Sequence, residues 1–161
     1  METLIVYASY NGSTEKCAFK LKEKIFNSFA LNIAVEEKIN LRSFGKIIIG
    51  TPIRIAKIHK AVKKFLAKYE DELHEKKLFF FCTALEDDSI LKAITQIPHS
   101  LQNKIIFKSC FGGRIVKHEL HNIERMGIET IEKQTNRDFT NFNSIDDAKI
   151  EEFIEEVNST K

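Results

Sequence analysis

Between an apolar run at Leu4–Ala8 and a helical pattern that starts at Thr14 lie Ser9, Tyr10, Asn11, Gly12, Ser13 and Thr14. The hydroxyls of Ser9, Ser13 and Thr14 and the amide of Asn11 are hydrogen-bond donors. Gly12 lets the backbone come close to a ligand, and a helix beginning here adds unpaired N–H groups and the positive end of its dipole. That combination suits a phosphate. The loop contains no lysine or arginine, so binding would rest on neutral donors. A second reading stays open at this point: serine and threonine at a helix start are ordinary capping residues, and Ser13 or Thr14 would then serve the helix alone.

Other phosphate templates do not fit. A P-loop requires Gly-Lys-Ser/Thr, and the dinucleotide fingerprint requires three spaced glycines. A phospho-receiver domain places acidic residues at the end of its first strand, where this chain has Ser9 and Asn11. Two further groups invite a chemical reading. His118 and His121 in "HELH" are three apart, whereas the zinc-protease motif spaces its histidines four apart, and no third ligand is evident, so no metal site is assigned. Cys82 and Cys110 fall near the ends of two expected strands, where they read either as a redox dithiol or as small buried hydrophobes.

The elements that must position the loop alternate along the chain. Leu4–Ala8, Leu31–Val35, Lys46–Gly50, Leu78–Cys82 and Lys104–Cys110 read as strands. Cys17, Ala18, Leu21, Ile25 and Phe29 recur at helical spacing after Thr14, and Ile58, Val62, Phe65, Leu66, Tyr69 and Leu73 mark one long amphipathic helix. Ile90, Ile94 and Ile97 give a shorter helix ended by Pro98, and Ile150, Phe153, Ile154 and Val157 a terminal one. The unalternating "LFFFC" run indicates a strand covered on both faces. Strands alternating with helices predict an α/β fold with a parallel sheet between two helical layers. The stretch from Arg114 to Phe142 fits this alternation least, with a short helix expected near Glu119–Arg125.

At 161 residues the chain has the size of one domain spanning 1–161. Its formal net charge of +2 gives no basis for nucleic-acid binding. No apolar run reaches the roughly 20 residues of a membrane span, and no basic leader precedes the first strand. Three cysteines suit reduced thiols and a cytoplasmic location.

The loop "SYNGST" resembles the phosphate-binding loop of flavodoxins, with Asn11 where threonine is commoner. The segment from Ile47 to Leu85 is similar to the flavodoxin-type, menaquinone-dependent protoporphyrinogen oxidases, in which a strand ends in Gly-x-x-Ile-Arg and a histidine follows. Here these residues are Gly50, Ile53, Arg54 and His59. "FGGRI" (Phe111–Ile115) and "NRDFTNF" (Asn136–Phe142) resemble later parts of the same family. The chain departs from it at Ile55, where tyrosine is frequent, in a short acidic loop at Glu86–Asp88, and in a shorter connection after the fifth strand.

The resemblance implies a flavodoxin-like three-layer sandwich with strand order 2-1-3-4-5 and bound FMN. The phosphate would sit on Ser9, Tyr10, Asn11, Gly12, Ser13 and Thr14. The flavin ring would lie among Thr51, Pro52, Ile53, Arg54 and Ile55, then Thr83, Ala84, Leu85 and Glu86, then Gly112, Gly113 and Arg114, with the two glycines allowing close approach. Arg54 is the candidate catalytic residue, facing reduced flavin or a substrate carboxylate. With no tryptophan or tyrosine in the ring loops, weak, solvent-accessible flavin binding is expected. The implied activity is oxidoreduction through FMN, with a quinone or another redox partner as acceptor and a location that can be peripheral to a membrane. The alternative is an electron carrier without a small-molecule substrate. Oligomeric state is left open.

Overall fold

The computed structural model describes residues 1–161. A central parallel sheet is formed by β1 (Glu2–Tyr7), β2 (Ser28–Asn32), β3 (Phe44–Arg54), β5 (Lys77–Thr83) and β6 (Ile105–Cys110), in the order β2-β1-β3-β5-β6. Counting these five strands alone, that is the expected 2-1-3-4-5 order. A two-residue strand, β4 (Lys57–Ile58), folds back antiparallel on β3. A separate antiparallel pair joins β7 (Arg114–Val116) to β8 (Asn141–Asn143).

Alternation along the buried strands supplies the two cores. Leu4, Val6, Ile47, Ile49, Leu78 and Phe80 point to one face, where α2 (Lys60–Lys68), α3 (Glu70–His74), α4 (Ser89–Ile94) and α5 (His99–Gln102) pack. Ile5, Tyr7, Ile48, Phe79 and Phe81 point to the other, covered by α1 (Ser13–Lys24) and α7 (Asp147–Ser159). On that second face Phe153 of α7 meets Phe79, Phe81, Phe107 and Phe111 edge-on, at centroid distances of 6.2, 6.1, 5.8 and 5.3 Å. This is the three-layer α/β/α sandwich.

Several boundaries differ from the sequence expectation. β2 lies three residues earlier than Leu31–Val35, because its edge position leaves its residues only half-buried and the apolar run does not mark it. The long helix after β3 is two helices with a break at Tyr69, and Ile58 belongs to β4. In place of a short helix near Glu119–Arg125 stands a 3-10 turn at Lys117–Glu119, followed by a full helix, α6 (Asn122–Thr135).

The β3–β4 connection was expected to be a plain loop. Instead, Arg54 pairs with Lys57 across a two-residue turn, with Ile55 and Ala56 both left-handed at φ 51° and 57°. Such a turn favours Asn-Gly, and a β-branched residue at positive φ is an outlier. His59 then caps α2: its Nδ1 accepts the Ala61 N–H at 3.0 Å, while its own N–H donates to Thr51 Oγ1 at 2.9 Å. Burial, with Lys60 and Arg54 nearby, holds its imidazolium below the ordinary value of 6.5, so the ring stays neutral with its proton on Nε2.

Two outcomes are expected. Replacing Ile55-Ala56 by Asn-Gly relieves the turn and raises the unfolding free energy by about 1–3 kcal/mol, read from urea melts. His59 contributes fully above 6.5; as pH falls below that value the unfolded chain binds the proton first and stability drops. His59→Asn keeps a cap acceptor and removes that drop, which a comparison of urea midpoints at about pH 7.5 and 5.5 detects.

Candidate functional site

Strand β1 is bordered by β2 on one side and β3 on the other, and the helices that follow β1 and β3 leave on opposite faces. The crevice at such a switch point, beyond the carboxyl ends of the strands, is where open α/β sheets bind ligands. The loop from Ser9 to Gly12 lies at this crevice and feeds directly into α1.

The loop is shaped by its own side chains. Gly12 is left-handed (φ 89°) and forms the N-cap of α1 without any side-chain cap. Ser9 Oγ accepts the Gly12 N–H at 2.9 Å, and Asn11 Oδ1 accepts the Ser13 N–H at 3.3 Å. Thr14 Oγ1 is bonded to Thr83 Oγ1 at 2.8 Å, tying the loop to the end of β5. The capping role considered for Ser13 and Thr14 is therefore not the one they play. Ser13 Oγ is buried, at 7% residue exposure, and has no hydrogen-bond partner. The N–H groups of Thr14 and Glu15 have no acceptor within the chain either. A buried hydroxyl without a partner costs on the order of 1–3 kcal/mol, and together with two aligned N–H donors it is the donor set an oxyanion satisfies.

Beside the loop is a recess of about 160 Å³, lined in part by Tyr10, Asn11, Arg54, Arg114, His121 and Glu124. That is below the 300–1,000 Å³ usual for small-molecule pockets and suits an anionic group more than a large ring. Arg54 is not a free surface arginine. Its guanidinium lies 3.8 Å from the Tyr10 ring centroid, and its Nη1 is 2.5 Å from Glu124 Oε1. Tyr10 also packs against His59, centroids 4.4 Å apart. A wider depression of about 680 Å³, between the 39–42 loop and α3, lies at the opposite, amino-terminal edge of the strands, away from the loop that opens α1.

The other residues expected around a flavin ring are distributed unevenly. Thr51, Pro52, Ile53 and Arg54 belong to β3 itself, and Thr51 is buried with its hydroxyl donating to the Pro52 carbonyl at 3.0 Å. Ile55 stands out at the turn, 88% exposed. Thr83 and Ala84 are buried; the Ala84 N–H donates to the Gly112 carbonyl at 3.0 Å, and Glu86 pairs with Arg137 at 2.8 Å. The close approach expected at Gly112 and Gly113 is made by the chain itself: a Cβ on Gly112 would lie 2.0 Å from the Ser144 carbonyl oxygen, and one on Gly113 would lie 3.1 Å from Ala84. Of the site residues the sequence did not assign here, His121 and Glu124 come from the stretch between Arg114 and Phe142 that fits the alternation least, and Ser144 lies just beyond it.

Cys82 and Cys110 are register partners on β5 and β6 and both belong to the core. The hydrogen bond from Cys82 lowers Cys110 to about 7, against the opposing effect of burial, and the Gly112 N–H helps. The same hydrogen bond and burial push Cys82 far up. No group of three or more histidine, cysteine or acidic residues is placed to hold a metal ion.

These features coincide with a known family. The flavodoxin domain profile matches residues 4–141. Solved structures share the fold at low identity. The Fusobacterium nucleatum flavodoxin bound to flavin mononucleotide is 15% identical, with 86% of this chain and 100% of that one covered and a TM-score of 0.54. A Lactobacillus acidophilus flavoprotein in complex with FMN is 17% identical over 70% of this chain and 91% of that one, TM-score 0.51. Oxidised flavodoxin 1 from Bacillus cereus is also 17% identical, over 70% and 82%, TM-score 0.51. No curated protein sequence matches significantly. With the profile spanning the loop, all five core strands and most of the helices, the chain belongs to the flavodoxin domain family.

Proposed function

We propose that this chain binds FMN and works as an electron-transferring flavoprotein. The observation that carries the reading is the buried, partnerless Ser13 hydroxyl beside the unpaired Thr14 and Glu15 N–H groups, on a loop that opens the first helix of a flavodoxin fold. Residues Ser9 to Thr14 hold the phosphate: Gly12 turns the backbone, Ser9 and Asn11 fix the loop, and Thr14 anchors it to Thr83. When bound, FMN supplies the redox chemistry of its ring. The protein contributes position and charge, and Arg54, held by Glu124 and Tyr10, places a fixed cation at the rim of the site.

The finer reading is oxidation of protoporphyrinogen with a quinone as acceptor. The run Gly50, Ile53, Arg54 and His59 supports it, as do the exposed Lys57, Lys60, Lys63 and Lys64, which suit the propionates of such a substrate. A second reading, a carrier that exchanges electrons with another protein and has no small-molecule substrate, is favoured by the short acidic loop at Glu86–Asp88 and the short connection after β6, where the oxidases it resembles are longer. Anaerobic mixing of FMN-loaded protein with protoporphyrinogen separates them. Bleaching of the flavin absorbance supports the oxidase, and a flavin reduced only by dithionite leaves the carrier.

Absorbance titration tests the binding reading. One FMN per chain is expected, with Ser13→Ala weakening the affinity about 10- to 100-fold, the value of a hydrogen bond to a charged group. Gly12→Val forces a β-branched residue to φ 89° and is expected to abolish retention while the circular dichroism stays native. FMN affinity unchanged in both variants would move the phosphate elsewhere. Arg54→Ala is expected to change FMN affinity less than about threefold and to slow flavin reduction about tenfold or more, a rise of roughly 1.4 kcal/mol in the barrier. Equal reduction rates would remove Arg54 from the reaction.

A further inference from the structure

The three cysteines of the chain are free and buried, and two of them stand side by side. Cys82 near the end of β5 and Cys110 at the end of β6 are register partners on adjacent parallel strands, and both side chains enter the same core. The Phe111 N–H donates to the Cys82 carbonyl at 2.9 Å, so the ladder holds the two positions level. Neighbouring strands lie about 4.8 Å apart, inside the roughly 4.4–6.8 Å of Cα separation that a disulfide bridges. That spacing is below the commonest value of about 5.5–6 Å, so a bond closed here is strained and readily reduced.

The two thiols are chemically unlike. The hydrogen bond from Cys82, with the Gly112 N–H, brings Cys110 down to about 7 against burial and the Asp87 carboxylate. The same hydrogen bond, together with burial, keeps Cys82 protonated. Lys149, paired with Asp87 at 2.9 Å, adds a cation near Cys110. As a thiol, Cys110 turns toward the Glu86 carbonyl, with Sγ and oxygen 3.7 Å apart. A sulfur that ionises near neutral pH beside one that keeps its proton is the division between an attacking and a resolving cysteine. Cys82 is 0% and Cys110 4% exposed, which favours a small uncharged oxidant over a bulky one.

We propose that Cys82 and Cys110 form a reversible dithiol–disulfide couple, oxidised by hydrogen peroxide, where β5 and β6 run into the loops of the crevice. The Cys110 thiolate attacks one peroxide oxygen and the O–O bond breaks. Hydroxide leaves and takes up the proton that Cys110 gave, while Cys110 becomes a sulfenic acid. The Cys82 sulfur then attacks the Cys110 sulfur and the S–O bond breaks, with the departing oxygen leaving as water with the Cys82 proton. Two thiols and one peroxide become one disulfide and two waters, and two electrons pass from sulfur to oxygen. A dithiol reductant reverses the bond by thiol–disulfide exchange. Because Cys82 precedes Thr83, which holds Thr14, and Cys110 precedes Phe111 and Gly112, the bond would tie together the bases of two loops at the crevice.

Mass mapping tests the couple. The full chain, reduced with dithiothreitol, desalted and kept folded, is treated with a small molar excess of hydrogen peroxide and then unfolded in N-ethylmaleimide. The expected result is a peptide linked through Cys82 and Cys110, with alkylation of Cys17 alone, and recovery of all three thiols after dithiothreitol. Cys17→Ser keeps the bond. Cys82→Ser stops at the Cys110 sulfenic acid, which dimedone captures, and Cys110→Ser leaves Cys82 unoxidised. Three alkylated thiols after peroxide, a bond that forms only in urea, or a bond that includes Cys17 would overturn the proposal. So would Cys110 driven to the sulfinic acid with no disulfide formed. If a buried variant does not fold, the wild-type map decides alone. The oxidant is peroxide and not a flavin, so the outcome is independent of FMN binding.

Discussion

Because β2 and β3 flank β1 on opposite sides, the connection after β1 and the connection after β3 must leave the sheet in opposite directions. Both helical layers are packed by apolar side chains that alternate along the strands. The crevice between the diverging connections is filled by loop backbone, and backbone away from a helix or sheet must find partners for its N–H groups. At the first loop it finds them only in part. Ser9 and Asn11 satisfy two donors, whereas Thr14 and Glu15 N–H and the Ser13 hydroxyl stay without any. These unpaired donors sit where the topology opens the sheet, between Ser9 and Glu15.

The elements around that crevice couple it to distant parts of the chain. Thr14 bonds Thr83 across 69 positions, joining the loop to the end of β5. Asn11 Nδ2 donates to the Arg114 carbonyl at 3.4 Å, and Arg54 reaches Glu124 on α6. The third loop, at Gly112 and Gly113, is closed by Ser144: the Gly113 N–H donates to the Ser144 hydroxyl at 3.0 Å and the Ser144 N–H to the Gly113 carbonyl at 2.8 Å. In this chain the glycine pair serves the joint between β6 and the β7–β8 hairpin, and the space by the loop is bounded by charged side chains.

What could be read from the sequence follows from where the driving force is local. The central strands β1, β3 and β5 are dense apolar runs because both of their faces are buried, and the loop before α1 announces itself by composition. β2 begins three residues before the apolar run that marks it, because none of the residues of this edge strand is fully buried. The β3–β4 turn was invisible because Ile55 and Ala56 are not turn residues, and their conformation is held by tertiary context. Helix α6 is longer than the short helix expected near Glu119–Arg125, because none of its residues is buried and its apolar positions do not mark one packed face. Arg54 was singled out by resemblance, but its partners Glu124 and Tyr10 could only be found in three dimensions.

In the function proposed above, the loop from Ser9 to Thr14 holds a phosphate. The most direct test compares FMN with riboflavin, which has the same ring and no phosphate, by quenching of flavin fluorescence at fixed ionic strength. FMN is expected to bind at least about 100-fold more tightly, since several charge-assisted hydrogen bonds are lost with the phosphate. Equal affinity for the two, or binding of neither, would contradict the account and return Ser9 to Thr14 to a purely structural role.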